Sequence, residues 1–342
     1  MTMQAVSLSD PAVRDHRYPI RSQTAFWGAV FVAFLLAPAV LYPVFVMKVL
    51  CFALFACAFN LLLGFAGMLS FGHAMFFGGA SYVCAYAIKN LGFPPEASIL
   101  LAVAVSAAFG LVVGLFAIRR HGIYFAMVTL ALAQLFYFLC LQSPATGGED
   151  GLQNVPRGYL LGVIDLQSET NLYYFVLAMT AAGFLFVFRI VRSPFGQSLK
   201  AIRDNENRAI SLGYKIDRYK LGVFVISAAL AGLAGALKAI VFQLASLTDV
   251  AWQMSGEVIL ITLVGGLGTL AGPLVGAAVM VSLQNYFAEL GEWVLVAQGV
   301  VFVVVVSVFR RGLVGELEHW WRGLTSRVQK ASRIAPMSTD VN

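Results

Sequence analysis

The sequence predicts an all-α, polytopic membrane bundle of about ten spanning segments, and three observations carry that prediction. Hydrophobic residues make up 60% of the 342-residue chain, charged residues only 12%, and the mean hydropathy is +0.82. Soluble domains carry about a quarter charged residues. The apolar residues fall into runs near the ~20 residues that a helix needs to cross a bilayer. Arginine and lysine cluster in alternate connections between those runs. A net charge of +6 on a soluble protein would suggest nucleic acid. Here the basic residues sit in short segments beside apolar runs, where the positive-inside bias accounts for them and no nucleic-acid partner is expected.

The runs follow one another with little between them. The first covers about 25–47, with Pro38 and Pro43 near its far end, and the second about 49–63, which is short. Residues 1–24 form a polar arm with Arg14, Arg17 and Arg21, and the first run reads as a retained anchor. A glycine-rich break, Gly64-Phe-Ala-Gly-Met-Leu-Ser-Phe-Gly72, leads to a third run at 72–89. Asn90 to Pro95 form a turn before the fourth run, 97–118. Arg119, Arg120 and His121 precede the fifth, 122–141. A polar stretch, 142–170, holds Glu149, Asp150, Asp165 and Glu169 against Arg157 alone. The sixth run is 171–191, and a charged loop, 192–219, follows. The seventh to tenth runs are 220–243, 257–270, 271–288 and 293–309. Residues 311–342 are a polar tail, so 25–310 reads as one transmembrane domain.

Eight basic residues lie between 189 and 220, from Arg189 to Lys220. With the basic segments in the cytoplasm, ten crossings alternate without conflict and both termini are cytoplasmic. The short second and eighth runs end in glycines at matching offsets: Gly64, Gly67 and Leu69 against Gly265, Gly268 and Leu270. Such breaks either let helices pack closely or leave unwound backbone along a path through the membrane.

Few ionisable groups fall inside the runs. Lys48, Lys89 and Lys238 read as snorkelling side chains. Glu257, at the start of the eighth run, caps that helix or faces the outer mouth of a path. His73 reads as a packed hydrogen-bonding group. Asn60, Gln134 and Gln284 line a path or bond between helices. The candidate path is therefore read on Asn60, Gly64, Gly67, Ser70, His73, Gln134, Glu257, Gly265, Gly266 and Gly268. The shortage of buried acids argues against a proton-coupled carrier. Cys51, Cys57, Cys84 and Cys140 lie in apolar runs without metal-ligand spacing, and no metal site is expected. No nucleophile stands paired with a base, so the chain reads as no enzyme.

The segment 193–213 is too charged to span. Phe195, Leu199, Ile202, Ala209 and Ile210 fall near one helical face, with Lys200, Arg203 and Arg208 off it. Pro194 suits a helix start and Gly213 a helix end, so an amphipathic helix is expected over 193–213. It lies on the membrane surface or docks on a soluble partner.

The run Phe195-Gly-Gln-Ser-Leu-Lys-Ala-Ile-Arg-Asp204, followed by Ala209-Ile-Ser-Leu-Gly213, resembles the coupling segment of branched-chain amino acid ABC permeases of the LivM type. The resemblance continues through Ser227-Ala-Ala-Leu-Ala-Gly-Leu-Ala-Gly-Ala-Leu237 and Gly265-Gly-Leu-Gly-Thr-Leu-Ala-Gly-Pro-Leu-Val-Gly-Ala277. Upstream it takes in Asn60 to His73, Gly122 to Ala131 and Thr146 to Leu152, so it spans about 50–310. Against the broader Glu-Ala-Ala, three residues, Gly signature, the chain has Asn207-Arg-Ala209 before Gly213, and only the second alanine and the glycine fit.

The resemblance implies a permease subunit of an importer for branched-chain or related amino acids in the inner membrane. Its partners would be a second, LivH-type permease subunit, two cytoplasmic ATPase subunits and a periplasmic binding protein. ATP and Mg would bind in the ATPase subunits and no cofactor in this chain, which has no Gly-x-x-x-x-Gly-Lys-Ser/Thr run. Coupling would fall on Phe195, Gly196, Leu199, Ala201, Ile202, Arg203, Asp204, Ala209 and Gly213. A urea or amide permease is the alternative within the class, and an ion-coupled carrier outside it.

Overall fold

The computed structural model describes residues 32–39, 41–160, 162, 164–287, 293–308 and 312–316; the N-terminal arm, the start of the first run and nearly all of the tail lie outside them. The described chain is mostly helical. Five of its helices are long and apolar enough to cross a membrane: 43–65, 95–117, 123–142, 169–192 and 216–242.

Helix α1 (Pro43–Asn60) starts on Pro43, after an extended Tyr42, and runs on through a wide π turn, Leu61–Phe65. Proline suits the first helical position because its missing N–H would have no partner there. The second run is therefore not short: the helix takes up Val44 to Lys48, and Lys48 lies half-buried inside it rather than at a run end. Helix α2 (His73–Lys89) follows the glycine break. Helix α3 (Pro95–Ala117) again opens on proline, and α4 (Ile123–Gln142) starts from Gly122, whose φ of 59° excludes most other residues. Helix α5 (Glu169–Arg192) has Glu169 in its first turn and Arg189 and Arg192 in its last, both favourable to the helix dipole.

The charged loop folds as two helices. Helix α6 (Pro194–Asp204) is capped by Ser193, whose Oγ accepts from Gly196 N at 3.3 Å. Helix α7 (Glu206–Ser211) is capped by Asn205, whose Oδ1 accepts from Arg208 N at 2.9 Å. Asn205 is extended, so the single helix expected over 193–213 is broken there. The break shifts the helical phase: Leu199, Ile202 and Ala209 are buried, but Ile210 is 58% exposed and leaves the expected stripe. Then come α8 (Ile216–Phe242), α9 (Trp252–Gly265), α10 (Gly272–Tyr286) and α11 (Trp293–Val308).

Helices α1 and α8 form the centre of the bundle, and most of their residues are buried. Helices α3, α4 and α5 present apolar faces outward, with Leu100, Phe116 and Leu185 each about two-thirds exposed or more. That is the distribution expected where lipid is the solvent. Close approach of α8 to its neighbours rests on small residues. A Cβ on Gly235 would lie 2.7 Å from the Phe77 carbonyl carbon of α2, and one on Gly232 would lie 2.5 Å from Ser106 Cβ of α3. Ser81 and Ser106 donate to the α8 carbonyls of Gly235 and Ala228, both at 2.7 Å.

Among the described residues, four two-residue strands depart from the all-helical expectation. β1 (Leu152–Gln153) pairs antiparallel with β4 (Leu244–Ala245), and β2 (Tyr159–Leu160) with β3 (Ile164–Asp165). They gather the polar stretch 142–170 over the end of α8. Lys89 Nζ donates to Gln153 O at 2.8 Å, and Arg157 Nη2 to Val241 O at 2.9 Å, at the same end. The connections 66–72, 118–122, 192–216 and 265–271 gather at the other end, where the basic residues concentrate.

Lys238 is a correction. It does not snorkel: it is buried and its Nζ lies 2.5 Å from Oδ2 of buried Asp249. Asp249 also accepts from Ser246 N at 3.2 Å and Ser246 Oγ at 3.0 Å. The bundle thus holds a buried acid, paired across the turn that reverses the chain from α8 to α9. Breaking a buried pair leaves an uncompensated charge, at a cost of about 3–5 kcal/mol. Lys238→Met is expected to lose about that much in a denaturant titration of the detergent-solubilised protein, and Lys238→Met/Asp249→Asn to recover most of it.

Candidate functional site

The two glycine breaks, 201 residues apart in the chain, meet at one point in space. The first begins where the π turn at Leu61–Phe65 unwinds α1 and ends beyond Gly67, at φ 73°. The second begins where α9 stops at Gly265 and holds Gly266 at φ 118° and Gly268 at φ 71°. Gly67 and Gly268, which match in offset, thus share one left-handed backbone state that side chains disfavour. The second break closes on itself through Thr269, whose Oγ1 donates to Gly266 O at 2.8 Å and accepts from Gly272 N at 3.1 Å, capping α10.

Asn60 joins the two breaks. Its Nδ2 donates to Thr269 O at 2.8 Å, and its Oδ1 accepts from Gly268 N at 2.9 Å. Both ends of one buried amide are therefore spent on backbone that helix hydrogen bonds leave unserved. The breaks lie so close that a Cβ on Gly64 would sit 2.6 Å from Gly268 N.

Arg203, from α6, completes the junction. Its Nη1 donates to the Gly64 carbonyl, and its aliphatic stem crosses Gly67, where a Cβ would come within 2.7 Å of Arg203 Cγ. Lys200 of the same helix lies over the Phe65 ring, 5.7 Å from its centroid. The loop helix therefore touches the point where α1 unwinds. Beside this contact opens a cleft of about 510 Å³ between Gly67, Phe71, Arg120, Phe125 and Arg203. Lys220 Nζ at its wall lies 2.7 Å from Glu206 Oε1 and 3.4 Å from His121 Nδ1.

The remaining site residues are His73, Ser70, Glu257 and Gln134. His73 is fully buried among Phe59, Phe76 and Phe224; its Nε2 lies 2.8 Å from Ser227 Oγ, which donates to Ala58 O at 2.6 Å. It ties α2 to α8 and α1. Ser70 accepts from Gly72 N at 3.2 Å just ahead of α2. Glu257 lies inside α9, not at its start, so it does not cap that helix; it accepts from Gln284 Nε2 of α10. Gln134 stands half-buried on α4, near the end opposite the glycine junction.

Of the residues placed on the loop segment, Gly196, Leu199, Ile202 and Ala209 are buried. Leu199 packs into the main core, and Ile202 and Ala209 pack with Ile216 and Tyr219. Phe195 is half-buried and stacks on Tyr219 with ring centroids 5.6 Å apart. Ala201, Arg203, Asp204 and Gly213 are exposed, as are Ile210 and Leu212. In the sequence Arg203 lies off the apolar stripe, and the resemblance places it among the coupling residues. Nothing in its spacing announces that a charged residue on the polar face turns back to a carbonyl 139 residues away.

Comparison with known proteins gives a family and several relatives. The family described as "Branched-chain amino acid transport system / permease component" matches residues 43–307. The chain is 26% identical over 315 residues to the high-affinity branched-chain amino acid transport system permease protein LivM of Salmonella typhimurium, covering 83% of this chain and 74% of that one. It is 31% identical over 205 residues to the ribose import permease protein RbsC of Bacillus subtilis, covering 54% of this chain and 59% of that one. It is 28% identical over 180 residues to the xylose transport system permease protein XylH of Escherichia coli, covering 49% and 45%. No solved structure matches.

Replacing Asn60 tests the clamp. Asn60→Ala leaves Gly268 N and Thr269 O without partners, and each buried unsatisfied group costs about 1–3 kcal/mol. Thermal unfolding in detergent is expected to show a clear loss for Asn60→Ala, with Asn60→Asp no better because the Thr269 carbonyl then faces a carboxylate. Unchanged melting in both variants would contradict the clamp.

Proposed function

The chain belongs to the family of branched-chain amino acid transport system permease components, and from that membership we propose that it forms part of the membrane path of an importer for branched-chain or related amino acids, powered by ATP hydrolysed in separate subunits. It works in the inner membrane with a second, related permease subunit, two cytoplasmic ATPase subunits and a periplasmic binding protein. Ten crossings with both termini in the cytoplasm fit the alternation of connections between a basic end and an acidic end.

The observation that carries the mechanism is the contact of Arg203 with the Gly64 carbonyl. A motor outside the membrane must move something inside it, and must favour one access state over another. Helix α6 is suited to that task. Leu199 anchors it in the bundle core, Ile202 packs it on the start of α8 beside Ala209 of α7, and Arg203 reaches the unwound end of α1. Exposed Ile210, Leu212 and Tyr214 leave an apolar surface for the motor, beside a groove of about 600 Å³ between Phe195, Leu212 and Tyr219. When the ATPase subunits displace α6 and α7, Arg203 is drawn off Gly64, the Gly64 carbonyl loses its donor, and the two breaks separate about the Asn60 hinge.

A sugar is the second reading of the solute, favoured by the similarity to the ribose and xylose permeases. The longer match to LivM favours amino acids. Proteoliposomes holding the whole transporter test the coupling. Arg203→Gln is expected to leave ATP hydrolysis within about twofold while uptake falls about tenfold, the loss of one charge-assisted hydrogen bond. Uptake that keeps pace with hydrolysis in that variant would remove Arg203 from the coupling path, and uptake that needs no ATP would remove the importer reading.

A further inference from the structure

At the end opposite the glycine junction a second cavity, of about 640 Å³, opens between the last turns of α4, the loop around Glu149, the turn at Leu247–Asp249 and the first turn of α9. Its volume lies within the range of small-molecule sites. Gln134, Tyr137, Glu149, Leu247, Trp252 and Gln253 line it. The walls thus combine one carboxylate, two amides and an aromatic and aliphatic surface.

The mouth is built rather than slack. The Glu149 loop turns on Gly147, Gly148 and Gly151, with φ of 76°, 59° and 66°. It is fastened at one side by Thr146 Oγ1, which donates to Ser143 O at 2.8 Å, and at the other by the β1–β4 pairing of Leu152 with Ala245. The opposite wall hangs on the Lys238–Asp249 pair, because Asp249 closes the turn that carries Leu247 and Thr248. Glu149 and Gln253 are exposed and Gln134 is half-buried, so their polar groups are open to solvent and to a solute.

We infer that this cavity is a binding site for a zwitterionic amino acid with an apolar side chain, on the outer side of the membrane, an inference that rests on the importer reading above. The chemistry of the lining divides as such a solute does. Glu149 takes the ammonium group by a charge-assisted hydrogen bond. The side-chain amides of Gln134 and Gln253 donate to the carboxylate. Leu247, Tyr137 and Trp252 cover the side chain, with the aromatic rings adding contact area at little cost in conformational entropy. A sugar has no ammonium group to reward Glu149, so the site favours amino acids over pentoses.

Equilibrium binding of radiolabelled L-leucine to the assembled transporter in nanodiscs, without binding protein, tests the site. Saturable binding is expected, weakened about tenfold in Glu149→Gln and comparably in Gln253→Leu, as loss of a hydrogen bond to a charged group implies. 4-Methylpentanoate, which lacks the ammonium group, is expected to compete at least about tenfold less well than leucine, by the same reasoning. Absence of saturable leucine binding, displacement by D-ribose, or wild-type affinity in both variants would overturn the inference. ATP-dependent leucine uptake by the same complex with its binding protein is measured alongside. If uptake persists while the variants bind as wild type, this site falls and the importer reading stands.

Discussion

Backbone inside a membrane has no water to bond to, and every carbonyl or amide that leaves a helix ladder must find a partner in the protein. The glycine junction is where this chain meets that constraint. Two helices unwind there, at Gly64 and at Gly265, and free backbone groups appear on both sides. Asn60 serves two of them and Arg203 a third. Because the third partner belongs to a loop helix rather than to the bundle core, the satisfaction of the break depends on where that helix stands. In the proposed coupling, that structural requirement becomes a point of control.

The rest of the molecule is arranged to hold this point. Helices α2 and α3 are packed on α8 through small residues and serine-to-carbonyl bonds that fix interhelical distances. His73 and Ser227 lock α2, α8 and α1 just inside the first break. At the far end, short strand pairs and the Lys238–Asp249 pair hold the polar cover in place. In the proposed coupling, rigidity at both ends of α8 lets a displacement at α6 act on the breaks rather than dissipate.

Much of this was legible in the sequence, and the failures have definite causes. Hydropathy located a run inside each of the five helices that are long and apolar enough to cross a membrane, and the matched glycine offsets singled out both breaks. Hydropathy alone makes Tyr42-Pro43 the end of a run, whereas proline at the first helical position makes it a start. Apolar spacing alone predicts one helix in the loop; it takes no account of Asn205, whose side chain competes with the helix ladder and caps the next helix. Lys238 and Asp249 were not paired because a tight turn, not helical periodicity, brings them together. Asn60 stood out as polar in an apolar run, but only the folded chain supplies its two partners.

The four cysteines are buried and unpaired, so introduced cysteines can be labelled selectively. Spin labels at exposed Asn207 on α7 and exposed Leu267 in the second break report directly on whether lever and junction move relative to one another. In the assembled transporter, pulsed dipolar spectroscopy is expected to give two distances whose populations exchange when a non-hydrolysable ATP analogue is added. A single distance, the same with and without nucleotide, would contradict the account.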